Sequence, residues 1–186
     1  MIISFNGDHG SGKSTIAKMV AEKLRYPRYY MGQIFRDIAK EKGMTLEELH
    51  KKIVDDYSVD RMVDNYLVDL SKEKENFVLE SRTAWKLIPD SIKIYLKVDS
   101  KEAAKRIFLE LEKENQRNEG KELNSVEKIE VSINNRKKLD DERYMKIYGI
   151  NIREEKNYDL FLDTTNLTIK EVFQKVIKFI DSKNNV

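Results

Sequence analysis

The stretch Ile2-Ile3-Ser4-Phe5-Asn6-Gly7-Asp8-His9-Gly10-Ser11-Gly12-Lys13-Ser14-Thr15 decides the fold. A short apolar run that reads as a buried strand enters a loop fitting G-x-x-x-x-G-K-[ST] in full. Apolar residues then recur at Ile16, Val20 and Leu24, with Ala17 and Ala21 beside them, which predicts an amphipathic helix over Lys13–Leu24. Glycines let such a loop turn tightly and point its N–H groups inward, and the helix adds its positive end at the same place. Strand, loop and helix in this order form a phosphate cradle. Lys13 is expected to reach the β- and γ-phosphates of a nucleotide and the Ser14 hydroxyl to ligate Mg²⁺. The whole loop is the candidate binding site for ATP: Gly7, Asp8, His9, Gly10, Ser11, Gly12, Lys13, Ser14 and Thr15. His9 is read as a tolerated residue of the loop in preference to a catalytic base.

Outward from this unit, helical and strand patterns alternate along the chain. Strands are expected at Arg28–Met31, ended by Gly32, and at Phe77–Leu79, Ile92–Val98 and Tyr158–Leu162. Helices are expected from Gln33 to about Lys42, from a Thr45–Glu48 capping box, and from Ser58 with Met62, Tyr66 and Leu70 on one face. Others are expected over 100–117, over 125–148 and after the Thr168–Glu171 capping box, with a polar tip at 118–124. Strands separated by helices imply a three-layer α/β fold, a parallel five-stranded sheet with helices on both faces. The 186 residues fit one domain.

Composition narrows the chemistry. The net charge of +2 and the alternation of sign along charged runs argue against a nucleic-acid binder. No cysteine is present, which excludes disulfides, and two histidines make a histidine-built metal centre a poor expectation. No apolar run approaches membrane-spanning length, and the first strand begins at once, so a cytoplasmic protein is expected. Nothing in the sequence points to an oligomeric state.

A loop of this kind does not say what is transferred. An acceptor that is itself a phosphate is already anionic, so its phosphorylation requires cations that hold two phosphates in line more than a strong base. Arg36, Arg82, Arg106, Arg136 and Arg143 fit that expectation, because the planar guanidinium grips phosphate at two points. Arg82 follows the third strand at its carboxyl end, where open parallel sheets bind ligands. Arg136, Asp140 and Arg143 fall at i, i+4 and i+7 on one helix face. Arg117 and Arg153 are expected to be solvated. Glu80, at the end of the third strand, is read as holding a Mg²⁺-bound water, with pairing to Arg82 or Lys13 as the alternative.

These residues carry a resemblance. With "GQIFRDIAKEKGMTLEEL" (32–49), "FVLESR" (77–82), "KIYLKV" (93–98), "ERYMKIYGINI" (142–152) and "YDLFLDTTNLTIKEVF" (158–173), the chain resembles the short archaeal-type branch of the cytidylate kinases, among the P-loop nucleoside monophosphate kinases. The resemblance implies a fold with a helical lid and ATP-dependent phosphorylation of CMP or dCMP. It divides the chain into a core, monophosphate-binding helices at about 33–73 and a lid at about 106–136. It places Arg36 and Arg82 on the acceptor phosphate, Arg136 and Arg143 over the reacting phosphates, and Asp140 on the acceptor's sugar. Two departures stand out. Glu80-Ser81-Arg82 replaces the usual Asp-Gly-Arg or Glu-Gly-Arg, and Thr83 stands where the bacterial branch has an aspartate that helps read cytosine. A kinase of the same fold for another monophosphate or a small metabolite, and a non-catalytic ATP-binding regulatory protein, are the alternative readings.

Overall fold

In a computed structural model, the protein is described over residues 1–45, 48–49, 57–113 and 124–184. Five strands form one sheet: β1 (Ile2–Gly7), β2 (Arg28–Tyr30), β3 (Phe77–Glu80), β4 (Ile92–Lys97) and β5 (Leu160–Asp163). Their spatial order is β2-β3-β1-β4-β5 and every pairing is parallel, with Phe5 beside Glu80 on one side and Ile94 on the other. The described α-helices are α1 (Lys13–Leu24), α2 (Met31–Glu41), α3 (Ser58–Glu73), α4 (Ala84–Leu87), α5 (Ser100–Lys113), α6 (Val126–Tyr148) and α7 (Ile169–Asn184).

Alternation along the strands sends side chains to opposite faces of the sheet. Ile3 and Phe5 of β1, Val78 of β3 and Ile94 and Leu96 of β4 pack with Ile16 and Val20 of α1 and Val176 and Ile180 of α7. Phe77 and Leu79 face the other way, against Phe35 of α2 and Val63 and Leu67 of α3. A third cluster joins Ala104 and Ile107 of α5 to Ile129 and Ile133 of α6. The helix ends follow local chemistry. The Ser125 side chain accepts from the Lys128 N–H at the start of α6, and Gly149, at φ 62°, terminates it.

Three expectations are corrected. Gly32 does not end β2 but lies inside α2, where a Cβ would sit 2.6 Å from the Tyr30 ring, so glycine makes room for that ring to fold back over the helix. The buried face of α3 is Asp60, Val63, Leu67 and Leu70, whereas Met62 and Tyr66 are exposed. Two helical stripes share Leu70, and the one that meets Phe77 and Leu79 is buried. Arg153 is not solvated; its partners are given below. The reciprocal hydrogen bonds of Thr45 and Glu48 are formed, but Leu46 and Glu47 lie outside the described residues, as do Arg117 and the tip at 118–123.

Candidate active site

The loop after β1 is shaped by close backbone approach. Gly7, at φ 154°, would bring a Cβ within 2.4 Å of the Leu96 carbonyl oxygen. The Asp8 N–H donates to that same carbonyl at 2.9 Å. Gly12, at φ 79°, is the N-cap of α1, so its left-handed backbone aims the first turn of the helix at the loop. The Asp8 side chain turns toward β4: it accepts from Tyr95 Oη at 2.9 Å, the Val98 N–H at 3.2 Å and Arg153 Nη1 at 2.6 Å. Arg153 also donates to Asp141 at 2.8 Å and is mostly buried. Asp8 and Arg153 are thus a clamp beneath the loop.

On the other side of the loop, Ser14 Oγ donates to Glu80 Oε2 at 2.7 Å. Glu80 is 1% exposed, and its Oε1 is held by Arg28 through Nε at 2.8 Å and Nη2 at 2.5 Å. Glu80 is thus paired with Arg28, a partner that the sequence did not suggest. A buried carboxylate needs such compensation, because burial of an unpaired charge is costly.

Between the carboxyl ends of β1 and β3 and helices α2, α3 and α6 lies a cleft of about 750 Å³, open to solvent. Its lining includes Lys13, Arg36, Arg82, Arg136 and Arg143, so four of the five expected arginines converge with the loop lysine. Arg106 is not in that lining. Its guanidinium donates to Glu102 at 3.0 Å and to the carbonyls of Thr164 at 2.8 Å and Thr165 at 3.0 Å, tying α5 to the chain after β5.

Asp140 organises the cleft's centre. It is 2% exposed; Arg82 Nη2 lies 2.8 Å from its Oδ2, His9 Nε2 lies 3.6 Å from that same oxygen, and Arg143 Nη2 is 3.5 Å from its Oδ1. Arg82 Nη2 also meets His9 Nε2 at 3.0 Å. Burial, then the neighbouring Arg136, holds the His9 pKa well below 6.5. The neutral ring then accepts from Arg82 at Nε2 and carries its proton on Nδ1. Arg36 Nη1 donates to Tyr30 Oη at 2.7 Å and its guanidinium lies 5.2 Å from the Tyr30 ring centre. Burial raises the Tyr30 hydroxyl, but Arg36 and Lys13 together outweigh it and leave the pKa below the ordinary tyrosine value.

The far wall is different. Thr83 Oγ1 donates to Asp64 Oδ1 at 2.7 Å, and the Tyr148 hydroxyl donates to Asp64 Oδ2. Ser81 Oγ contacts Thr83 Oγ1 at 3.2 Å, so the serine in place of the usual glycine joins this hydroxyl network. Asp60 sits one turn before Asp64 with its Oδ1 3.8 Å from Arg143 Nε. Burial raises the pKa of both aspartates. The sequence reading did not single out Asp8, Arg28, Asp60, Asp64 or Arg153 for these contacts. For Asp60 and Asp64 a signal existed, since with Val63 and Leu67 they fall on one helical stripe.

A strand–loop–helix phosphate cradle on a parallel sheet of order 2-3-1-4-5, with cations lining the adjacent cleft, defines a P-loop kinase fold. The chain belongs to the cytidylate kinase-like family, whose profile matches residues 2–166. It is 35% identical to the cytidylate kinase of Thermococcus kodakarensis over 97% of this chain and 88% of that one. With the cytidylate kinase of Archaeoglobus fulgidus it shares 30% identity over 98% of this chain and 96% of the other. Among solved structures, an uncharacterized protein from Eubacterium ventriosum superposes with a TM-score of 0.69 at 19% identity, covering 98% of this chain and 99% of that one. The shikimate kinase from Acinetobacter baumannii, in complex with shikimate, gives 0.59 at 18% identity over 98% and 93%. At these identities the two structures speak to the fold alone. Among the described residues, no helix is long and apolar enough to cross a membrane.

Proposed function

We propose that the protein transfers the γ-phosphoryl group of ATP to CMP or dCMP. The observation that carries this reading is the convergence of Lys13, Arg36, Arg82, Arg136 and Arg143 on one cleft beside the phosphate loop. A nucleotide switch has no need of cations for a second phosphate. In this reading residues 7–15 wrap the phosphates of ATP, with Lys13 on the β- and γ-groups. Arg36 and Arg82 grip the acceptor phosphate, Arg136 and Arg143 neutralise the transferring group, and Asp140 accepts from a sugar hydroxyl. Arg82 is already oriented by Asp140 and His9, so less side-chain freedom is lost when it takes a phosphate. No general base is required at an anionic acceptor. Arg106 acts one step back, fixing α5 to the chain after β5. The packed pair α5–α6 serves as the lid, and its closure keeps water from the reaction.

The Ser14 hydroxyl and the Glu80 carboxylate, adjacent beside the loop, fit a magnesium ion, because both are hard oxygen donors. Ser14 would be a ligand and Glu80 an acceptor for water on the ion. When bound, the ion supplies charge neutralisation on the β- and γ-phosphates.

The test is a coupled ADP-release assay with Mg·ATP and CMP, dCMP, UMP, AMP, GMP or no acceptor. Turnover with CMP or dCMP well above the rest is expected, and Lys13→Ala and Arg82→Ala should abolish it while leaving the circular dichroism spectrum unchanged. Turnover no faster than the blank with every acceptor overturns the proposal. Near-normal turnover in either folded variant overturns the assignment of its residue.

A further inference from the structure

The cleft's far wall carries two carboxylates that the phosphoryl chemistry does not use. Asp60 and Asp64 lie one turn apart on α3, so their side chains emerge side by side, with Val63 beside them in the same lining. Carboxylates repel phosphate, so this wall suits the opposite end of the acceptor from the one that Lys13, Arg36 and Arg82 would take. Its apolar members, Phe35, Val63 and Tyr144, suit a flat ring.

Asp60 is 97% buried by its 3% exposure, and its Oδ2 has no hydrogen-bond partner among the described residues. Near its other oxygen lies Arg143, at 3.8 Å, which is too long for a hydrogen bond. An acceptor this buried and unmatched is costly unless a ligand donates to it. Asp64 is fixed in the same wall as an acceptor: Thr83 and Tyr148 each donate one hydroxyl hydrogen to it, and each of its oxygens retains a second lone pair. Both residues can therefore take N–H donors and neither, as a carboxylate, can give one.

We propose that Asp60 and Asp64 are specificity-determining residues that read the base of the acceptor through its exocyclic amino group. This inference rests on the kinase reading above. An amino group on a pyrimidine has two N–H donors, one for each carboxylate in adjacent turns. Cytosine presents that donor at position 4, whereas uracil presents a carbonyl oxygen, whose lone pairs would face carboxylate oxygens. Thr83, where the bacterial branch has its aspartate, orients the carboxylate that α3 supplies. The wall is thereby selective chiefly by repulsion of the wrong base.

The test uses the full chain. Specificity constants for CMP, UMP and the CMP analogue lacking the 4-amino group are measured for the wild type, Asp60→Asn and Asp64→Asn, each shown folded by its melting curve. The wild type should disfavour UMP and the analogue lacking the 4-amino group by at least about tenfold relative to CMP. An asparagine amide can turn its N–H toward the uracil oxygen, so either variant should lower the CMP-to-UMP ratio by about tenfold or more. A purely structural carboxylate would lower all the constants together and leave the ratio where it was. If the wild type accepts the analogue lacking the 4-amino group as well as CMP, or if both folded variants keep the wild-type ratio, the inference is wrong. Should one variant fail to fold, the other variant and the analogue still decide. A wild type inactive on every monophosphate would instead overturn the kinase reading itself, which the ADP-release panel detects separately.

Discussion

Replacing Arg153 by methionine keeps the aliphatic bulk of the side chain and removes its three polar contacts, to Asp8 at 2.6 Å, Tyr95 at 3.0 Å and Asp141 at 2.8 Å. The Asp141 contact counts for little, since that carboxylate is 41% exposed. The Asp8 pair is different: each side chain is 12% exposed, and the change leaves Asp8 charged beneath the loop without its Arg153 partner. Breaking a fully buried pair costs about 3–5 kcal/mol, and the residual solvent access on both partners lowers this to about 2–3 kcal/mol. For a chain of this length that is a fall in melting temperature of about 4–12 °C. Because Asp8 also receives the Val98 N–H and its own N–H holds the Leu96 carbonyl, the loop loosens and the KM for ATP rises. The assay is thermal unfolding of wild type, Asp8→Asn, Arg153→Met and the double variant. A coupling energy above about 1 kcal/mol is expected, with the double variant less damaged than the two singles predict. A fall of less than about 2 °C in Arg153→Met, with coupling near zero, would show that Arg153 is the solvated residue its sequence context suggests.

Two further outcomes follow from the loop. Gly7→Ala places a Cβ 2.4 Å from the Leu96 carbonyl oxygen at a backbone φ of 154°, so β1 and β4 must separate locally. ATP binding measured by calorimetry should be lost and the melting temperature lowered by several degrees or more, whereas wild-type affinity would refute the close approach. His9 gives a pH signature. Its folded-state pKa lies well below 6.5, through burial first and Arg136 next, so folding favours the neutral ring. The stability this group contributes is complete above its unfolded pKa and is lost as pH falls below that value toward the folded one. Between about pH 7.5 and about pH 5.5 the urea midpoint of the wild type should therefore fall more than that of His9→Gln, and equal falls would refute the shift.

The elements nearest the loop were legible because their signals are local. Ile2–Phe5 is an apolar run broken only by Ser4, and the stripe Ile16, Ala17, Val20, Ala21 is the buried face of α1. The arginines were legible by chemical type, and Arg36, Arg82, Arg136 and Arg143 line one cleft. What was not legible is the pairing of charges across the fold. Asp8 and Arg153 lie 145 residues apart, and Arg28 reaches Glu80 from the neighbouring edge strand 52 residues earlier. No spacing rule links such residues. Only the parallel register, with Tyr30 beside Glu80, brings the start of β2 within reach of that carboxylate. On α3 the periodicity offered two stripes through Leu70. The one chosen by the fold contains Asp60, a residue that polarity alone assigns to the surface, and burial of Asp60 is possible because Arg143 and the cleft lie beside it.

Pairing Glu80 with Arg28 has an electrostatic consequence for the cleft. At close range an unpaired carboxylate at the end of β3 would offset one of the cations proposed to hold phosphate, in a setting where water screens poorly. Arg28 compensates that charge from outside the cleft lining, through two short contacts on one oxygen, while the other oxygen faces Ser14. Asp140 acts in the opposite sense at the centre, where it holds Arg82 and lies near Arg143 and offsets part of their charge. At the far wall stand the carboxylates of Asp60 and Asp64, with Arg143 3.8 Å from Asp60. In the proposed binding mode a ligand with an anionic head and an N–H-bearing ring is favoured with its head toward the cations, because the reversed orientation places phosphate against carboxylates. Orientation of the acceptor would in that mode be a property of the whole cleft, and removal of either acidic residue would weaken it from the end opposite the phosphate.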